Sequence, residues 1–294
     1  MNRKVFYGTM AIVATVMQLV ACSHEELTGQ GTILPERKYP LILTNASVAG
    51  TTRATTEDEW EGGETIRVQV VDNYVSGEPD WSAATSQTYT VVKDASMTKS
   101  EGEPVYWNSP SEVKAIRAWY VGGTTSSSEF PSSHTVETDQ NTVGNYEKSD
   151  FLFAQRDADF TNDNDGISLH FYHQVAKIKV AINGGPGGKF DGSSVTYVAI
   201  ENVATTGTFT APVFDNKPYG TWKIDESSKG SIMLNLESAP KDVTCKAIVI
   251  PQMIRPELRF TIQIDDGTTY TFTPKEVLNW DAGYEYTYGI SMPL

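Results

Sequence analysis

Two side chains near the start of this sequence carry its reactive chemistry. Cys22 ends an apolar run, Val5 to Ala21, and a thiol is the most nucleophilic side-chain group available for attachment of a lipid. Arg53 stands among small polar residues, Thr51-Thr52-Arg53-Ala54-Thr55-Thr56, a stretch that a protease can thread in extended form. A cut on the carboxyl side of the arginine would make Ala54 a new N-terminus. Between the two sites lies one apolar segment, Tyr39-Pro40-Leu41-Ile42-Leu43-Thr44-Asn45-Ala46-Ser47-Val48, which reads as a single strand.

The elements that position these groups begin with the leader. Met1-Asn2-Arg3-Lys4 is basic and residues 5–21 are short and apolar, so residues 1–21 are expected to be a signal peptide. Gln18 interrupts the run, which stops short of the roughly 20 residues a membrane span needs, and an anchor helix is therefore disfavoured. Leu19-Val20-Ala21-Cys22 resembles the lipobox of bacterial lipoproteins. That resemblance implies cleavage before Cys22 and acylation, with palmitate among the chains, of its thiol and new amine. Several chains hold firmly where one binds only marginally. Ser23-His24-Glu25-Glu26 resembles the acidic signal that sends some lipoproteins to the outer face of the outer membrane. Residues 22–38 show no periodicity and contain Gly29, Gly31 and Pro35, as a lipidated tether would.

Beyond the cleavage loop the chain alternates with period two. Ile66, Val68 and Val70 share one face, as do Ile116, Ala118 and Tyr120, and then Leu169, Phe171 and His173. Ala176, Ile178, Val180 and Ile182 follow, with Lys177 and Lys179 expected to face outward. Later runs are Val243 to Ile250, Leu258 to Ile264, and Tyr284, Tyr286, Tyr288 and Ile290; Asp265-Asp266-Gly267 marks a hairpin. No stretch keeps helical periodicity over three turns, so the fold class is all-β. Asn183-Gly184-Gly185-Pro186-Gly187-Gly188 is the strongest break. It divides an N-terminal β-sandwich domain, 39–183, from a C-terminal one, 184–294, with 39–53 as a removable first strand and cleavage loop.

A formal net charge of −14 repels phosphate backbones, so nucleic acid is not an expected partner. Cys245 alternates with Val243, Ala247 and Val249 and reads as a small buried hydrophobe, which leaves no disulfide to expect. Asp157, Asp159, Asp163 and Asp165 lack the glutamate that completes a calcium loop and read as a solvated acidic segment. His170 and His173, three apart in a strand, face opposite ways. Ser132-Ser133-His134 lies in a polar loop without a third catalytic partner. No enzyme activity, metal or cofactor is expected. Six tryptophans, Trp60, Trp81, Trp107, Trp119, Trp222 and Trp280, read mainly as core. They also allow a second function, a monomeric glycan-binding surface lipoprotein, with Trp81 as its most exposed ring.

Several stretches together resemble the fimbrillin family of Mfa-like type V pilus subunits. They are the lipobox at Cys22, the Thr-Arg-Ala-Thr loop at Arg53, Ser149-Asp150-Phe151-Leu152-Phe153-Ala154, the run Leu169 to Val180, and Leu278-Asn279-Trp280-Asp281-Ala282-Gly283-Tyr284-Glu285-Tyr286-Thr287-Tyr288. The resemblance implies two transthyretin-like β-sandwich domains in tandem, export as an outer-membrane lipoprotein exposed at the cell surface, and maturation by an arginine-specific protease. It further implies that loss of the first strand opens a groove, which another fimbrial subunit fills by donor-strand exchange, giving a fimbrium that adheres to a host or bacterial surface ligand. On this sequence the lipidated residue is Cys22, the scissile bond joins Arg53 to Ala54, and the displaced strand lies within Tyr39 to Val48. The ending departs from the pattern, because only Ser291-Met292-Pro293-Leu294 follow the last strand. A subunit that donates its own C-terminal strand must free it from the body or use it within an extended terminus. Removing a strand that carries Leu41, Leu43 and Val48 would uncover core at about 1.5–3 kcal/mol per large apolar residue.

Overall fold

Runs of β-branched and aromatic residues separated by glycine, serine and asparagine fold, as their alternation predicts, into strands. The computed structural model describes residues 33–49, 59–122, 129–184, 194–214, 217–238, 243–275 and 278–292. The signal peptide, Cys22, Arg53, Ala54 and most of the glycine cluster expected at the domain division lie outside these residues. In chain order the strands are β1 Leu43–Val48, β2 Thr65–Val71, β3 Thr85–Val91, β4 Met97–Glu101, β5 Val113–Val121, β6 Ser133–Thr135, β7 Phe151–Asp159, β8 Ile167–His173, β9 Ala176–Gly184 and β10 Val195–Ala204. There follow β11 Thr206–Thr210, β12 Thr221–Ile224, β13 Lys229–Met233, β14 Asn235–Ser238, β15 Val243–Val249, β16 Gln252–Met253, β17 Arg259–Ile264, β18 Thr269–Phe272, β19 Asn279–Trp280 and β20 Glu285–Met292. Helix is confined to α1 Asn145–Lys148, α2 Phe160–Asp163 and short 3-10 turns among the described residues. The protein is all-β.

A seven-stranded sheet runs β1-β8-β7-β5-β2-β3-β4. Its spine is the pairing of β5 with β7 from Val113↔Asp159 to Val121↔Phe151. The later strands form sheets β13-β10-β17-β18, β12-β11-β6 and β14-β15-β9-β20, with a short β16-β19 pair. The expected hairpin joins β17 to β18, where Gly267 at φ 84° donates its N–H to the Ile264 carbonyl at 2.9 Å. Residues 33–294 form one compact unit that contains two hydrophobic cores. Ile66, Val68, Ile116, Ala118, Leu169 and Phe171 lie in the first, and Ile178, Val180, Val198, Ile200, Phe260 and Ile262 in the second. Cys245 sits in the second core, where burial pushes its thiol up to about 12.

The buried side chains of β8 serve the first core and those of β9 the second, while Trp119 of β5 and Phe151 and Phe153 of β7 also reach the second. Gln174, fully buried between β8 and β9, acts as the clasp. Its amide donates to the Pro218 carbonyl at 2.9 Å and accepts the Gly220 N–H at 3.0 Å, while its backbone carbonyl accepts the Trp222 indole at 2.7 Å.

Two local expectations change. Ser133 and His134, expected in a polar loop, belong to β6, which pairs with β11. His134 is buried beside Phe151 and Trp222 and hydrogen bonds through Nε2 to the Ser149 carbonyl at 2.8 Å; burial lowers its pKa from 6.5. A strand of only three residues has too little alternation to stand out in sequence. Lys177, expected to face outward, is only 7% exposed, because β9 is a central strand with a neighbour on each side and its outer face is covered near the junction.

Candidate functional site

The apolar segment after the tether is a strand that closes the first sheet. Leu41 and Leu43 alternate with Ile42 and Thr44, and the first pair is buried at 4% and 2% while Ile42 stays 47% exposed. A register shift between Leu43 and Asn45 resets the phase, so that Ala46, rather than Asn45, turns inward. Val48 is half-buried against the same core. Leu34, in the stretch that reads as tether, is buried there as well. Large apolar side chains that sequence places on this element, Leu41 and Leu43, are thus joined by two inward residues that the alternation alone does not show.

On one side β1 lies parallel to β8, with Leu43 opposite Ile167 and Val48 opposite Phe171. The Ile167 N–H donates to the Ile42 carbonyl at 2.8 Å, and the Ala49 N–H to the Phe171 carbonyl at 2.7 Å. Gly166 permits this close approach: it has φ 138°, and a Cβ there would lie 2.5 Å from the Thr44 methyl. On the other side the segment meets the far end of the same sheet. Asn45 bridges Ser96, and Pro40 bridges Tyr106. Ala46 donates to the Ala95 carbonyl at 2.8 Å, Leu41 to Val105 at 2.8 Å and Leu34 to Asn108 at 2.9 Å, while Trp107 donates to Tyr39 at 2.9 Å. The segment therefore closes the β8 edge of the seven-stranded sheet and is bonded on its other side to residues 95–108, which flank β4.

Side chains tie it in further. Thr44 Oγ1 donates to the Ile167 carbonyl at 3.2 Å, and Ser47 Oγ lies 2.7 Å from His170 Nδ1. The buried Trp60 indole donates to the Ala46 carbonyl, and its ring meets Tyr120 and Phe171 edge to face at 5.5 and 5.7 Å. Burying Leu34, Leu41 and Leu43 contributes about 1.5–3 kcal/mol each, an upper range because unfolded chains already bury part of this surface.

Next to the end of β1 opens a cleft of about 1120 Å³, walled by Val48, Trp60, Tyr120 and Leu152 from the first core and by Tyr146, Val175 and Ile248 from the second. At its floor Asp150 Oδ1 lies 2.9 Å from His173 Nδ1. Burial alone would raise the Asp150 pKa. The His173 charge and hydrogen bond, the Phe151 N–H and the Lys177 charge outweigh burial and hold it below 3.8. This is a tightly paired structural charge.

The other constellations resolve into packing. Arg156 holds Asp163 with two bonds of 3.0 and 2.9 Å, and Asp159 caps α2 by accepting the Asn162 N–H at 3.0 Å. Among the described residues no group of three or more His, Cys, Asp or Glu could hold a metal. His170 is exposed and His173 buried, on opposite faces of β8. Trp60, Trp107, Trp119 and Trp280 are core residues. Trp81 is half-buried, with the Arg117 guanidinium 4.3 Å from its ring centre and the Phe214 edge at 5.9 Å.

The family described as fimbrillin-like matches residues 52–293 of the chain. No curated protein gives a significant sequence match. Among solved structures, a candidate cell adhesion protein from Bacteroides uniformis superposes with a TM-score of 0.62 at 17% identity, covering 88% of this chain and 94% of that one. Another, from Bacteroides ovatus, gives 0.64 at 16% identity over 87% and 94%. At such identities the likeness speaks for the fold.

Proposed function

The chain belongs to the fimbrillin-like family, and from that membership we propose that it is a pilus subunit held plugged by its own first strand until proteolysis. It is a structural protein of the cell-surface fimbrium that interacts with other fimbrial subunits, and not an enzyme. In the proposed sequence of events the precursor is acylated at Cys22 and anchored in the outer membrane, and an arginine-specific protease then cuts between Arg53 and Ala54. The plug, Tyr39 to Val48 with Leu34 ahead of it, leaves. A strand of another subunit takes its place by β-strand addition, and the finished fimbrium serves adhesion.

One observation carries the reading: β1 fills the gap between β8 and the 95–108 edge, so that its departure would leave two rows of unpaired backbone groups above an uncovered core. An exposed edge pair of that kind captures the nearest compatible strand. The two cores support a further part of the proposal, two sandwich domains in tandem, with the seven-stranded sheet in the first.

Incubating the purified precursor with an arginine-specific protease should generate an N-terminus at Ala54 and a ladder of oligomers on unboiled gels. A cleaved product that runs only as monomer at any concentration refutes strand exchange.

A further inference from the structure

We propose that the cleft beyond Val48 is the terminal pocket of the acceptor groove, which receives the residues following the incoming strand and selects a basic side chain among them. The inference rests on the strand-exchange reading above and specifies the partner segment it requires. Three observations lead to it.

The first is continuity. β1 runs parallel to β8 and ends at Val48, which is itself a wall of the cleft. A strand that follows the same track therefore delivers whatever comes next into that space. Trp60 belongs to both places: its indole donates to the Ala46 carbonyl in the groove, and its ring lines the cleft.

The second is size. Sites for small molecules enclose about 300–1,000 Å³. At about 1120 Å³ and open to solvent, this cleft suits a length of polypeptide better than a compact ligand. Trp60, Tyr120 and Tyr146 supply apolar surface for its stem.

The third is charge. Glu59, Glu61 and Glu147 stand exposed on the lips. The lining also carries Lys148, Lys177 and Lys246, against the carboxyl groups of Glu59, Glu61, Glu64, Glu147 and Asp150, and Lys246 is already paired with Glu237 at 2.7 Å. Asp150 at the floor is already paired with His173. The field at the mouth is consequently negative and favours a Lys or Arg arriving with the strand.

Three labelled synthetic peptides test this on the full chain after treatment with the arginine-specific protease. One has the sequence of residues 39–48; the others lengthen it at the C-terminus by Ala-Thr-Thr-Lys or by Ala-Thr-Thr-Glu. The lysine-tailed peptide should bind at least about tenfold more tightly than the short one, with a gain that shrinks as salt is raised, and the glutamate-tailed peptide should gain little. Val143, on the lining and 96% exposed, can be enlarged without disturbing the core. In Val143→Trp the tail's advantage should vanish while the short peptide binds as before. Equal binding of all three peptides, or an equal gain from either tail, overturns the cleft proposal and leaves strand exchange standing. Failure of every peptide to bind removes strand exchange and this inference with it.

Discussion

Leu43→Asp should let the precursor assemble without any protease. Leu43 is 2% exposed on the inward face of β1, so the substitution removes about 1.5–3 kcal/mol of apolar burial and puts a carboxylate over hydrocarbon. The cluster of buried side chains that Leu43 joins is apolar among the described residues. The strand is bound by contacts along one short segment only, and the added cost approaches all that Leu34 and Leu41 contribute. Peeling β1 away is then cheaper than keeping it, because the rest of the first core, centred on β2, β5 and β8, does not depend on the phase of this strand. Oligomer ladders from uncleaved Leu43→Asp chain are the expected result. A variant that stays monomeric while its first strand remains protected would show that closure of the sheet does not control assembly.

Arg53→Ala should have the opposite effect, leaving a folded monomer under conditions in which the parent chain is expected to polymerise. The substitution leaves the apolar pattern of the sequence unchanged, so the melting temperature of the precursor should not move measurably. What changes is that the plug remains covalently continuous with the body. A detached strand is diluted into solvent, whereas a tethered one returns at high effective concentration and outcompetes any neighbour's strand. Combining the two substitutions separates cleavage from vacancy: Arg53→Ala with Leu43→Asp should recover assembly. Normal polymer from Arg53→Ala alone would remove proteolysis from the account.

The all-β class, the hairpin at Asp265-Asp266-Gly267 and the burial of Cys245 were legible because each depends on local alternation or turn chemistry. The first strand was legible for the same reason, through Leu41 and Leu43. Its partners were not, because the pairing of Leu43 with Ile167 is parallel and joins residues more than a hundred positions apart, which no local pattern encodes. The bulge that turns Ala46 inward is equally silent, since it breaks the very periodicity used to read the strand. Lys177 and His134 misled for a tertiary reason: a lysine on a central strand and a histidine in a three-residue strand are covered by elements distant in sequence. Gly166 could have been a clue, as glycine just before a strand often marks close backbone approach. The cleft draws its walls from segments between residues 48 and 248 and leaves no mark in any one stretch.

Two backbone amides of the body report directly on whether a vacancy forms. Ile167 donates to the Ile42 carbonyl and Trp107 to the Tyr39 carbonyl, so both depend on the first strand for their acceptors. Hydrogen exchange at these two positions should be slow in the precursor, fast in freshly cleaved monomer and slow again in the assembled fimbria. Protection that persists unchanged after the cut at Arg53, in protein still monomeric, would mean that the strand stays where it is and that no groove is created.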